Sequence, residues 1–221
     1  MNIRYDRRER DVVKFNPESW TPRTKIGELV KSKQIVSLEQ IFEGGKPIKE
    51  VEIIDTLFPD LETKVLEVAS VQRMTKNSRK PKYRATVVVG DRNGHVGYGT
   101  GKDVEVKPAI DSAIKDAKKK MIAVNFGCGS WECSCGTTHS LPLQVTGKCG
   151  SAQIILKPAP RGVGVVAGEV AKQVLEVAGI KDVWSFSRGR TRDIYNIGLA
   201  TFKALKGVSK LKNIDKLKLS G

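Results

Sequence analysis

The sequence predicts a two-domain α+β protein, on three observations. From Lys82 to Val124, a β-rich run, an Asp91-Arg92-Asn93-Gly94 turn and a returning strand are followed by helical spacing. From Leu141 to Gly207 the pattern reads strand, strand, helix, strand, helix. Ahead of both lies a charge-balanced lead-in: residues 1–64 hold 12 Lys/Arg and 12 Asp/Glu, whereas residues 65–221 hold 27 and 12.

Taken in order, residues 1–24 are polar, interrupted by Pro17 and Pro22, and read as an extended arm. Ser37 to Phe42 reads as a short helix, with Ser37 as N-cap, Gln40 at the third helical position and Gly44-Gly45 as the stop. Lys49 to Leu57 reads as a second short helix, ended by Pro59. With no net charge, this lead-in is expected to pack on protein. Val65 to Met74 alternates as a strand that would join the central hairpin in a three-stranded sheet. Tyr83 to Val89 and His95 to Tyr98 form that hairpin, because Asn-Gly tolerates the positive φ of a tight turn. Ile110, Ala113, Ile114, Ala117 and Met121 then mark one helix face, with Pro108 suited to the first turn.

After an insert at residues 128–140, Leu141–Val145 and Ala152–Leu156 read as strands joined by a Gly147/Gly150 turn. Val163, Val166, Val170, Val174 and Ala178 give a helix stopped by Gly179, and a strand follows near Val183–Phe186. Asp193 caps a last helix carrying Ile197, Thr201 and Leu205 and ended by Gly207; residues 208–221 are a basic tail. The domain limits are therefore 65–127 and 141–207.

The net charge of +15 calls for a polyanionic partner, nucleic acid before anionic membrane, since no long basic amphipathic helix stands out. Arg73, Lys76, Arg79, Lys80, Lys82 and Arg84 lie within 12 residues that contain no acid. Asn77, Ser78 and Pro81 mark that segment as a loop, open to an RNA-binding or a merely solvated reading. Lys115, Lys118 and Lys119 on the first helix are a second candidate RNA face, and Arg92, Arg161, Arg188 and Arg190 complete the set.

Cys128, Cys133, Cys135 and His139 supply the ligand types of one structural zinc. Their spacing is not the usual paired Cys-x2-Cys, and Cys-x-Cys chelation of one ion is strained, so reduced structural thiols are the alternative reading. Cys149 sits apart, in a strand turn. The run Arg161–Gly168 opens a helix and could hold a phosphate or serve close packing; it lacks the Gly-Lys-Ser/Thr end of a P-loop. Gly97-x-Gly99-x-Gly101 lacks dinucleotide spacing. No nucleophile–base pair or carboxylate pair converges, so no enzymatic activity and no small-molecule substrate are expected. Two rivals stay open, an enzyme using Arg161–Gly168 as a nucleotide loop and a free-standing zinc-dependent nucleic-acid-binding regulator.

Val87-Val-Val-Gly-Asp-Arg-Asn-Gly-His-Val-Gly-Tyr-Gly99 resembles the signature of the small-ribosomal-subunit protein five family. The similarity runs on through Ala109–Met121, Val145–Ser151, Pro158–Gly168 and Val174–Ile180. The lead-in, with Ser19–Gly27 and Pro47–Asp55, resembles its archaeal and eukaryotic branch, and the short C-terminus points to archaea. The resemblance implies a double-stranded-RNA-binding-like first domain and a second domain with a left-handed β-α-β crossover. It implies binding to 16S ribosomal RNA at the head–body junction of the small subunit, in the cytoplasm and away from any membrane. It further implies contact with protein four and other neighbouring ribosomal proteins near the mRNA entrance, and a part in decoding accuracy. The Arg73–Arg84 segment matches the family's RNA-inserting loop, whereas the Cys128–His139 insert has no bacterial counterpart.

Overall fold

The computed structural model describes residues 20–35, 37–43 and 47–209. The arm up to residue 19, the Gly44-Gly45 stop and the tail from residue 210 lie outside the described residues.

The described lead-in forms three short helices: α1 (Lys25–Lys31), α2 (Leu38–Glu43) and α3 (Glu52–Leu57). The first was not anticipated. Thr24 caps it, its hydroxyl accepting from Gly27 N at 3.2 Å, and Ile26 and Val30 turn inward. Seven residues carry too few apolar positions for a periodic signal. The third starts at Glu52, later than the sequence suggests.

The first sheet has the order β1-β2-β3-β4, all antiparallel, from β1 (Glu62–Met74), β2 (Arg79–Gly90), β3 (His95–Asp103) and β4 (Ile122–Ala123). It is thus four-stranded, and its first strand begins at Glu62. Helix α4 (Val106–Lys119) covers one face. Ala85, Val87 and Val89 of β2 point to that side, into a core shared with Ile110, Ala113, Trp20, Ile53 and Ile54. Val88, Val96 and Tyr98 point to the other side and belong to the core of the second half. A bulge between Val65 and Glu67 lets Val65 and Val68 both face the α4 side, while Leu66 packs toward the second half.

Residues 73–84, expected to be a loop, are for the most part paired strand. Only residues 75–78 turn; Met74 pairs with Arg79, Arg73 with Lys80, Gln72 with Pro81 and Val71 with Lys82. β3 pairs with β2 only from Tyr83 onward, so this end stands out as a two-stranded ribbon. Pro81, which suggests a loop, is tolerated because among the described residues β2 has no third strand beside it there.

The second sheet has the order β5-β6-β8-β7, from β5 (Val145–Cys149), β6 (Ala152–Pro158), β7 (Val165–Val166) and β8 (Val183–Arg188). Helices α5 (Glu169–Ala178) and α6 (Ile194–Ser209) contribute Val174, Leu175, Ala200 and Leu205 to its core. β5 begins at Val145, four residues after the expected start, and the turn falls at Gly150-Ser151. Gly147 lies inside the strand because α6 presses on it: a Cβ there would stand 2.0 Å from Ala200 O. The helix expected from Val163 starts only at Glu169, because Val165–Val166 pairs in parallel with Val183–Trp184. The last helix passes through Gly207 to Ser209, with Val208 buried. Asp193 precedes it directly, its carboxylate accepting from the Asn196 side-chain amide at 2.5 Å.

Candidate nucleic-acid interface and metal centre

Cross-strand register decides which cations share a surface. Arg73 and Lys80 are opposite one another, as are Val71 and Lys82, and Ala69 and Arg84. Side chains alternate along a strand, so Arg73, Lys80, Lys82 and Arg84 share one ribbon face. Arg79 and Met74 lie on the reverse, and Lys76 is at the tip. Among the described residues no ion pair reaches Arg73, Lys76, Arg79, Lys80 or Lys82, all of them exposed.

Three other candidate cations are already engaged within the protein. Arg84 lies 3.8 Å from Glu67 and stacks over Tyr195, 5.2 Å from the ring centroid. Arg92, at the hairpin turn with φ 60°, donates from Nε to Glu62 at 2.5 Å. That contact raises its pKa further. Lys118 is ion-paired with Asp55 of the lead-in. Spacing could not reveal these partners, which lie 17, 30 and 63 residues away in the chain.

Lys115 and Lys119 are exposed on α4 and thus on the opposite side of the first sheet from Lys80 and Lys82. They do not extend the ribbon surface. Arg190 and the unforeseen Arg192 are exposed in the turn that leads into α6. Tyr195 at the start of that helix sits under Arg84, which places this turn on the ribbon's cationic side. Arg188 lies on the open face of the second sheet beside Gln153, with half-exposed Phe186 one rung on and Lys157 5.0 Å over its ring. Lys157 and Phe186 escaped the sequence reading; alternation along β6 and β8 is the signal that carries them.

The glycine-rich segment is not free to receive a phosphate. Gly162 and Gly164 have φ of 93° and 75°, turning both N–H groups toward one carboxylate. Asp182 Oδ1 accepts from them at 3.0 and 2.8 Å, so the protein's own anion fills the concavity. Gly97, Gly99 and Gly101 also have a packing role. A Cβ on each would stand 2.2–2.3 Å from a backbone atom of Ala109, Ala113 or Ala117, so their bareness lets α4 lie directly on β3.

Arg161 is exposed at the head of that segment. Its neighbour is the Cys/His insert, rooted by antiparallel pairing of Gly127 with Ser140. The donor atoms of Cys128, Cys133, Cys135 and His139 all lie within 4.8 Å of one another. Cys135 Sγ is 3.7 Å from Cys128 Sγ, and Cys133 Sγ is 3.6 Å from His139 Nε2. A tetrahedral zinc with ordinary bond lengths has S···S edges of about 3.8 Å and S···N edges of about 3.6 Å. The residues fit that ion. Cys149 is elsewhere, its thiol directed at Asn196 Oδ1.

The three thiols are not equivalent. Thr137, then Cys133, hold Cys135 down at about 6, while burial and then Cys133 and Cys135 push Cys128 up to about 11. Cys133 is lowered: its contact with Cys135 acts the other way, and the backbone N–H groups of Arg161 and Cys135 outweigh it. Burial disfavours a charged His139, yet Cys133, Cys135 and Asp182 together raise its pKa. His139 Nδ1 is 2.8 Å from Asp182 Oδ2, close but short of a well-aligned hydrogen bond.

No described helix is long and apolar enough to cross a membrane. The family model for the N-terminal domain of ribosomal protein S5 matches residues 61–125, and that for its C-terminal domain matches residues 147–218. Small ribosomal subunit protein uS5 of Methanocaldococcus jannaschii is 55% identical over 206 residues, covering 93% of this chain and 95% of that protein. Its namesake in Methanoregula boonei is 50% identical over 198 residues, covering 90% and 97%. That of Methanothermobacter thermautotrophicus is 51% identical over 205 residues, covering 93% and 95%. Both domains match in order, and the archaeal relatives align over nearly their whole length, so the chain belongs to the ribosomal protein S5 family, whose members are structural and not enzymes.

Proposed function

We propose that this chain is a structural constituent of the small ribosomal subunit that binds 16S ribosomal RNA at the head–body junction. In this reading it contacts protein four and other neighbouring proteins near the mRNA entrance and supports decoding accuracy. Family membership supports the ribosomal role. The RNA contact rests on one observation, the ribbon face of Arg73, Lys80 and Lys82 with Lys76 at its tip. These four cations carry no internal counter-ion among the described residues, on a ribbon that no other strand supports.

The recognition is electrostatic and shape-based. A-form RNA offers its phosphates and 2′-hydroxyls to such a surface, while its deep major groove excludes side chains. A two-stranded ribbon can follow a backbone groove and neutralise phosphates along one edge. Each neutralised phosphate releases roughly 0.7–0.9 of a counterion. Replacing Arg73, Lys76, Lys80 and Lys82 by Gln is expected to flatten the log–log salt slope of ribosomal-RNA binding by about 2–4 units. The fold should persist, because all four side chains are exposed. Replacing Lys115 and Lys119 instead should leave that slope nearly unchanged. The opposite result, with both variants folded, would move the interface to α4.

A further inference from the structure

We propose that Cys128, Cys133, Cys135 and His139 bind one structural zinc ion, and that Asp182 couples this centre to the turn containing Gly162 and Gly164. The inference is independent of the RNA reading, since it needs no surface cation.

The choice is between a metal and packing thiols, and exposure separates them. Free cysteine used for packing is among the most buried of residues, yet all three of these thiols are partly exposed. Among residues 128–139 only Ser130 and His139 are buried, and Trp131 is 91% exposed. A segment of this kind has no apolar core of its own. What holds it is a few backbone hydrogen bonds, chiefly the Gly127–Ser140 pairing and the bond from Gly129 N to Leu141 O at its root, and the convergence of four donor atoms at its centre. Small elements without a core are ordinarily held by a staple, a metal being one. Three soft thiolates and one imidazole favour zinc over the oxygen-seeking magnesium or calcium.

The surroundings of His139 also suit a metal. Its Nε2 faces Cys133 and its Nδ1 faces the Asp182 carboxylate. A metal-bound imidazole commonly gives its second N–H to a carboxylate, which fixes the tautomer and the ring plane. The backbone adds to this: Lys181 N and Asp182 N both donate to His139 O at 3.2 Å. Asp182 is therefore shared. One of its oxygens lies against the His139 ring, and the other accepts from Gly162 and Gly164. With zinc bound, His139 stays neutral and donates from Nδ1, holding the carboxylate where it also orders the glycine turn. Without zinc the ring loses its anchor at Nε2, and the turn keeps a carboxylate that is itself less fixed.

The test uses the full-length chain purified without chelators. Elemental analysis should find about one zinc per chain in the wild type and in Cys149→Ser, and close to none in Cys133→Ser or Cys135→Ser. Cobalt exchanged into the wild type should show thiolate charge-transfer and tetrahedral d–d bands that both variants lose. Asp182→Asn should retain the ion with roughly 10–100-fold weaker affinity. Amide exchange after chelation should speed at Gly162 and Gly164 while the β2–β3 amides keep their protection. A wild type without zinc or cobalt bands would overturn the site, as would zinc content unchanged in Cys135→Ser. Retained zinc binding with exchange at Gly162 and Gly164 insensitive to chelation would overturn the coupling, as would equal loss of protection across both sheets.

Discussion

Asp91 gathers three contacts at the hairpin turn. Its Oδ1 accepts from Asn93 N at 2.7 Å and His95 N at 3.1 Å, and its Oδ2 lies 2.7 Å from His95 Nδ1. Burial acts to raise this carboxyl, but the His95 side chain and the two backbone donors outweigh it, and the folded pKa is lowered. A carboxyl with a folded pKa below its unfolded value of about 3.9 adds stability that is present above that value. That contribution disappears as pH falls through the lower folded value. Asp91→Asn should therefore lose roughly 1.5–3 kcal/mol at neutral pH, the range for hydrogen bonds to charged groups. Its stability should also fall less steeply than the wild type's below about pH 4, as read from urea midpoints across a pH series. Equal acid-side slopes would show that Asp91 is not a source of that dependence.

At the scale of elements, the contact between α4 and β3 is set by what is missing. Ala109, Ala113 and Ala117 meet Gly101, Gly99 and Gly97, small residue against none. A Cβ at position 99 would come within 2.2 Å of Ala113 O and Ala117 N. Gly99→Ala is expected to push the helix outward and cost about 1–3 kcal/mol or more, the range for overpacking, measured by denaturant unfolding. Gly150→Ala meets no such crowding, only the asparagine side chain of residue 196 at 3.8 Å or beyond, although its φ of 58° disfavours a Cβ. Its loss should be the smaller of the two. The main helices and central hairpin were legible because the 3.6-residue and two-residue periods are local properties of the chain. The ribbon was not: its register depends on which strand lies beside β2, and Pro81 argues for a loop when read alone. The Asp182 carboxylate over Gly162 and Gly164 was hidden for the same reason, since 18 residues separate it from the nearer of its amide partners. The four donors of the insert could be read from sequence as a set, but not the carboxylate behind His139.

Across the whole molecule the two domains are less separate than the alternation of elements suggests. Val88, Val96 and Tyr98 of the first sheet share a core with Leu175, Ile197 and Leu205 of the second half. Tyr98 donates to Tyr195 O at 2.9 Å, burial holding its phenol protonated, and Lys64 Nζ meets Glu176 at 3.0 Å. Backbone joins them too, Arg92 N and Gly94 N donating to Val177 O and Ala178 O. Variants retaining only Trp20, in the lead-in, or only Trp184, in the second sheet, should report the same unfolding midpoint. Separated midpoints would show that the shared core does not enforce cooperativity.

β1 is the outer strand of the first sheet, 13 residues long, and among the described residues no strand lies along its edge away from β2. Such an edge is a template on which a second copy of the chain could add its own strand. The bulge at Val65–Glu67 breaks the regular spacing of donors and acceptors at one end, and Arg73, Lys80 and Lys82 charge the other. Two copies meeting through these ribbon ends, or adding β1 to β1 in parallel, would bring those like charges together. The cations that suit the ribbon to a polyanion thereby act, before any polyanion arrives, as a guard against self-association. Neutralising them by mutation would remove the guard together with the binding surface.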